Sequence, residues 1–256
     1  MTCKHSHKFL VVLIIILSIS TLSHGDSKSI YLRETVEFMG GLGSRIVGYP
    51  GAKRAADFIE EKLNQFQIGV VTREKFKLAA PIDYGGTLKI SGVPNSFQLY
   101  GLWPNLVRTT TIPDTGIFGD IIYGSSGSYS DLSGLKIKDN IVLLEFNSWN
   151  NWLISASLGA RAIIFIEPEQ TGRAQANEKF SSAPLDVPRF WLERDKGILL
   201  RSLLRKDVYK ASITSRMDWE VGEGNNIHVV VEGSDDELCK ETVIIEAYFD
   251  GISVVP

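Results

Sequence analysis

Apolar and polar positions along the chain change their period several times, and each change predicts a different element. Ile30 to Met39 places Leu32, Val36 and Met39 on one side and stops at Gly40-Gly41, the pattern of a short helix with a glycine terminator. From Ala52 to Phe66, Ala52, Ala56, Ile59, Leu63 and Phe66 recur at spacings of four and three opposite Lys53, Arg54, Asp57, Glu61 and Lys62. That is an amphipathic surface helix laid on a sheet. Beyond about Leu78 the pattern shortens to strands: Thr87–Ile90, Ile117–Tyr123, Ile141–Phe146 and Ala162–Ile166, separated by turn clusters such as Pro113-Asp114-Thr115-Gly116 and Gly124-Ser125-Ser126-Gly127. Between the last two strands, Leu153–Gly159 reads as a short helix ending at glycine, so the two strands are expected to pair in parallel through a crossover. From about Asp218 the texture changes again. Asn226–Val231 and Thr242–Tyr248 are β-branched runs joined by the acidic stretch 232–241, which reads as a solvated loop.

The first two dozen residues follow other rules. Lys4 and Lys8 precede an apolar run from Phe9 to Ile19, after which small polar residues lead to Gly25. This is the layout of a secretory signal peptide over residues 1–25; the run falls short of the roughly 20 apolar residues of a membrane span. A secreted or extracytoplasmic location follows, with an uncleaved N-terminal membrane anchor as the alternative. Without that segment the chain carries 25 basic and 30 acidic residues, a net charge of −5, which gives nucleic acid no basic surface. Cys239 and His228 become the only cysteine and histidine, since Cys3, His5, His7 and His24 precede Gly25. A disulfide scaffold and any site needing two imidazoles are thereby excluded. Hydrophobic content of 44% over 256 residues is that of an ordinary globular chain with a sizeable core.

Several local features have candidate chemistry. Gly41-Leu42-Gly43-Ser44-Arg45-Ile46-Val47-Gly48 has the look of a nucleotide loop, but Ile46 stands where the dinucleotide fingerprint needs its third glycine, and no Gly-Lys-Ser/Thr follows. Trp149 and Trp152 are read as packing over a small core, with an aromatic ligand platform as the alternative. Arg45 is read as tying a loop to the sheet or to backbone carbonyls. The run Thr242–Tyr248 delivers Asp250 to its end, where α/β sheets hold ligands and metals. An Asp-Gly pair after a strand is also a plain turn signal, and His228 on the preceding run is an ordinary strand residue.

Ser44-Arg45-Ile46-Val47-Gly48-Tyr49-Pro50-Gly51, the helix containing Ala55-Ala56-Asp57-Phe58-Ile59, and then Leu63 and Gly69 resemble the opening of the two-zinc aminopeptidase and glutamate carboxypeptidase family. Gly119–Tyr123, Leu135–Leu144, Gly159–Phe165 and Val187–Phe190 resemble the recurring pieces of that family's inserted protease-associated domain. The resemblance implies an α/β fold, a partial and mostly parallel peptidase sheet with flanking helices, interrupted by a β-rich insertion. The implied domains are a helical peptidase part at 26–77, the protease-associated insertion at 78–215, and a resumed, truncated peptidase core at 216–256. It further implies zinc, peptide or protein substrates, and peptide-bond hydrolysis. At the last strand the family has His, any residue, Asp. Asp250 matches the metal-bridging carboxylate, while Tyr248 occupies the histidine position, and a phenol with a pKa near 10 must lose a proton before it ligates. The family's Glu pair, further acidic ligand and last His lie downstream of the bridging Asp, and no match to them follows Asp250. A metal hydrolase needs about three protein ligands per zinc and a base for the bound water. The expected result is a chain inactive alone, with catalytic residues incomplete and zinc below stoichiometry. Two other readings stay open: a non-catalytic protease-associated-domain protein that binds peptides or proteins, and a gene fragment without a folded product. Membrane contact is expected only through an uncleaved N-terminal segment.

Overall fold

The computed structural model describes residues 29–104, 108–179 and 185–251. The signal-peptide reading of 1–25 lies outside the described residues. The chain divides into two units, Met1–Gly43 and Ser44–Pro256. In the first, residues 29–40 form helix α1, and the Gly41 N–H closes it on the Glu37 carbonyl at 3.0 Å. No described helix is long and apolar enough to cross a membrane.

The second unit opens with α2 (Pro50–Phe66), which starts on a proline, whose missing donor costs nothing in a first turn, and ends at Gln67 in the left-handed region, φ 54°. Its buried residues are Gly51, Ala52, Ala55 and Ala56. Small side chains let the helix lie close against the two long strands β1 (Val71–Ile90) and β7 (Tyr209–Val229). Arg73 of β1 fastens it, donating to Asp57 at 2.7 Å, Glu60 at 3.0 Å and Asn225 at 2.8 Å. The lower half of the apolar stripe is less covered, with Phe66 53% exposed.

Five shorter strands complete the sheet: β2 (Phe97–Gly101), β3 (Ile117–Tyr123), β4 (Ile141–Glu145), β5 (Ala162–Ile166) and β6 (Arg189–Leu192). In the order β1-β2-β6-β5-β4-β3-β7 the seven close into a barrel. Strands β3, β4, β5 and β6 run parallel to one another, and the remaining pairings are antiparallel. Short helices join the parallel strands: α3 (Tyr129–Leu132), α4 (Trp152–Ser157) and α5 (Arg173–Asn177), while α6 (Arg194–Leu204) leads from β6 to β7. The expected strands at Ile117–Tyr123, Ile141–Phe146 and Ala162–Ile166 are present, the second ending at Glu145, and the last two pair in parallel with a helix between them, as expected.

Both faces of the central parallel strands β4 and β5 are apolar, as buried parallel strands require. Ile141, Leu143, Ile164 and Ile166 point into the barrel with Leu88, Leu99, Phe190 and Ile213. Their neighbours Val142, Leu144, Ile163 and Phe165 face outward under Leu132, Ile137, Phe146 and Trp152. Ile46, at the position where a dinucleotide loop needs glycine, is buried against Met217 and supports a packing role for that stretch.

A bulge between Asp83 and Gly86 re-aims β1 as it enters the barrel. The Asp83 carboxylate accepts from the Gly85 and Gly101 N–H groups at 2.9 and 2.8 Å, and its N–H donates to the Tyr49 hydroxyl at 2.8 Å. Burial holds this carboxyl above the usual carboxylate range, opposed by those amides. Gly85, at φ 92°, takes the turn that other residues resist. Asp83→Ala strands two amides and is expected to cost about 1–2 kcal/mol in urea unfolding.

The fold is α/β, one mixed sheet of seven strands with flanking helices. Two expectations are corrected. Residues 226–229 do not start a new core strand but are the end of β7, antiparallel to β1 at 71–74. Residues 242–250 form no strand. A β-branched run becomes a strand only when a neighbour completes its ladder, and no described segment does. Val243, Ile244 and Ile245 are 87%, 80% and 95% exposed instead.

Candidate functional site

Asp250 owes its position to two local devices. The segment 44–49 crosses the ribbon of β1 and β7 at Gly222, where a Cβ would meet Ala80 at 3.1 Å and the Gly48 Cα at 3.2 Å, so a side chain there would crowd the crossing. The Gly251 N–H then donates to the Arg45 carbonyl at 3.0 Å and holds 247–251 beside that segment. The contact at Arg45 uses its main-chain carbonyl as acceptor, not its side chain as a donor to other carbonyls.

The result is a crevice of about 170 Å³ lined by Val47, Ala52, Phe76, Glu223 to Asn226 and Ala247 to Asp250. The Phe76 ring covers Gly224, whose Cβ would meet it at 2.4 Å. Asp250 and Tyr248 both line this crevice; Asp250 is exposed, and Tyr248 is 93% exposed. Glu223, the other carboxylate lining this crevice, is paired with Lys75 at 3.0 Å. His228 lies on β7 opposite Thr72 and lines a different cavity. Among the described residues no group of three or more His, Cys, Asp or Glu is placed to hold a metal. The donor set around Asp250 therefore does not fit a zinc ion, and no metal-dependent step can be written for it.

A second crevice, of about 470 Å³, was not foreseen. It lies where the parallel strands β5 and β6 end, between Tyr100 and Trp191 on one side and Glu167, Glu169, Glu193, Arg194 and Asp195 on the other. Glu167 accepts from the Arg194 N–H at 2.9 Å, Arg194 pairs with Glu169 at 3.1 Å, and the Tyr100 hydroxyl donates to Glu193 at 3.3 Å. Burial first, and then Glu193, push the Tyr100 phenol up. Its sequence signal is a carboxylate directly after each apolar strand: Glu167 after Ile166 and Glu193 after Leu192.

Buried cations are the other unforeseen feature. Lys179, 1% exposed, donates to the Trp149 carbonyl at 2.5 Å and sits 5.1 and 5.4 Å from the Phe146 and Phe165 ring centres. Arg189, 3% exposed, donates to the Lys179 and Trp103 carbonyls and stacks 4.9 Å from the Trp152 ring. Trp152 is fully buried, its indole N–H on the Glu178 carbonyl at 2.7 Å, as a packing residue should be, while Trp149 is 55% exposed.

No protein-family model matches the chain, and no curated protein matches it. Solved structures do. A peptidase M28 precursor from Shewanella amazonensis SB2B superimposes with TM-score 0.54 and 16% identity over 78% of this chain and 50% of its own. A zinc aminopeptidase from Bacillus subtilis gives 0.51 and 16% over 75% and 44%. The chain shares its fold with zinc aminopeptidases. An aminopeptidase from Aneurinibacillus sp. strain AM-1 also matches, at 0.46 and 18% over 80% and 48%. The chain spans about half the length of the structures it matches. At such identities the likeness is one of backbone arrangement.

Proposed function

We propose that this chain supplies the N-terminal half of a secreted exopeptidase of the zinc aminopeptidase type, and that it does not hydrolyse peptides by itself. The observation that carries this reading is the fold shared with the M28 precursor over 78% of the chain. The barrel between about 78 and 215 is read as the protease-associated insertion, and the stretch after it as the start of the peptidase core. Asp250 is the residue assigned to the metal centre, as its bridging carboxylate, with Tyr248 in the place of its histidine neighbour. Zinc supplies a Lewis acid and an activated water in such enzymes; here the described residues offer it one carboxylate, so the remaining ligands must come from elsewhere. Peptides are the substrate class.

One observation favours a second reading, a non-catalytic peptide-binding barrel. The barrel is closed and fully packed, and it carries the Tyr100–Trp191 crevice, in which carboxylates and aromatic faces suit a basic side chain.

Zinc analysis and hydrolysis of aminoacyl p-nitroanilides by the purified chain test the first reading. Zinc well below one equivalent and no turnover are expected; one tightly held zinc with turnover overturns it.

A further inference from the structure

Trp149 stands in a conformation that its neighbours have to hold in place. Its φ is 49°, in the left-handed region that a bulky L-residue avoids. Its indole is exposed, and among the described residues no ring or cation packs on it. Burial ordinarily rewards an aromatic side chain, and that reward is absent here. The backbone is clamped instead. Gln175 of α5 accepts from the Trp149 N–H at 2.9 Å, and Lys179, just beyond α5, donates to its carbonyl at 2.5 Å. Asn147 adds a third tether, donating to the Gln170 carbonyl and accepting from the Thr171 hydroxyl, both at 2.8 Å. Lys179 is buried to do so, a costly place for an ammonium. A conformation disfavoured in itself persists only where its surroundings over-determine it, and such positions gather at binding sites.

This loop adjoins the Tyr100–Trp191 crevice. Gln170, which Asn147 holds, directly follows Glu169 of the crevice, and Trp149 is two residues from Asn147, so the two features lie within roughly 20 Å of each other. Both sit at the carboxyl ends of parallel strands, where α/β sheets take ligands. Glu169 is neutralised by Arg194 at 3.1 Å. Glu167 and Glu193 accept from an amide and a phenol and keep their charge, and Asp195 has no partner among the described residues. With Tyr100 and Trp191 as walls, that is a seat for a cation.

We propose that Trp149 is the second anchor of a peptide-binding face: an extended segment of another protein seats one Lys or Arg in the crevice and lays an apolar side chain, about five residues away, on the Trp149 indole. An indole is a large rigid surface that gains most when a partner covers it. Two anchors this far apart suit a chain rather than a metabolite, and the charge of the crevice repels nucleic acid and acidic lipid. Gln175 and Lys179 are positioning residues. Every residue of the face lies between Tyr100 and Asp195, in the barrel and its connections. The inference rests on the peptide-binding reading of the barrel and needs no peptidase step.

The test uses the purified full chain and fluorescein-labelled peptides of roughly eight residues, enough to span about 20 Å. They are built from Ser and Gly with one Lys and one Leu at spacings of about two to six residues, and binding is read by fluorescence polarisation. Saturable binding is expected, tightest with the two about five residues apart, and lost when the Lys is exchanged for Glu. Trp149→Gly keeps both backbone bonds and suits the positive φ. Its melting temperature should hold, yet its affinity should fall at least about tenfold. Trp149→Phe, which keeps an aromatic face, should bind within about threefold of the parent. Lys179→Met should weaken binding about threefold without touching the peptide, with faster amide exchange at 147–150. Phe118→Ser, an exposed position near the opposite ends of these strands, should change nothing. If Glu193→Gln weakens binding while Trp149→Gly does not, the crevice reading stands and the second anchor is refuted. Absence of saturable binding by every peptide overturns both.

Discussion

Arg189→Ala lowers the unfolding free energy by about 4 kcal/mol, with two lost charge-assisted hydrogen bonds and a cavity both contributing. Arg189 projects from β6 at 3% exposure, joins the carbonyls of Lys179 and Trp103, and packs its guanidinium on Trp152. Truncation leaves those carbonyls without their donor and opens a void beside the largest side chain of the outer core. One effect opposes the loss. Burial pushes the guanidinium down to about 10, so the native state already bears a desolvation cost that the alanine removes. Arg189→Met separates the contributions, because it refills the void without restoring a donor, and is expected to recover about half of the loss. Urea unfolding of the two variants checks this; a loss under about 1 kcal/mol for Arg189→Ala means the carbonyls find other partners.

The parts of the fold that were legible in the sequence are those whose burial is continuous. Ala162–Ile166 is a strand with the expected bounds because every residue of β5 is buried and its apolar run has no interruption; Ile117–Tyr123 also keeps its expected bounds, although only Ile121 is buried. The α2 stripe was equally plain. What escaped was the long ribbon. Of β1, only Thr87–Ile90 was read as strand, because Thr72-Arg73-Glu74-Lys75 looks like surface and Pro81 and Gly85-Gly86 look like breakers. Outside the barrel the ribbon has little to bury, so its strands carry charge on both faces and lack the period that betrays a half-buried strand. The run Thr242–Tyr248 failed in the opposite sense: its composition is that of a strand, but strand formation is a property of pairs.

At the candidate site the sequence named residues but not their neighbours. Asp250 and Tyr248 do share a crevice, and His228 does stand apart from it. Glu223 at that crevice was invisible, since only the register of β7 brings position 223 to 247–250. The buried cations were invisible for a related reason. Lys179 follows Glu178 in an ordinary polar stretch, and nothing nearby in sequence announces that Phe146 and Phe165 will close over it.

Lys179 should also set the pH dependence of stability. Desolvation by burial pushes its ammonium from 10.5 down to about 8, with Glu178 opposing. Between those two values the unfolded chain binds more protons than the native one, so unfolding takes up a proton and becomes harder as pH rises. The penalty of burying the charge is therefore full below pH 8 and relieved toward 10.5, a gain of up to about 3 kcal/mol at 1.36 kcal/mol per pKa unit. Lys179→Met removes the penalty along with the contacts to Trp149, Phe146 and Phe165. Because about 1–2 kcal/mol of cation–π and hydrogen-bond attraction is lost against a penalty of up to about 3 kcal/mol, the variant should be more stable than the parent at neutral pH by about 1–2 kcal/mol. From pH 8 to 10.5 the parent should gain on it by up to about 3 kcal/mol. Tyr49, Tyr100 and Tyr123, whose phenols burial raises, work in the other direction at the alkaline end, but they are common to both proteins and cancel in the difference. Urea midpoints of the two chains across that range decide the matter: parallel curves would mean that Lys179 keeps an ordinary pKa and that water reaches its ammonium.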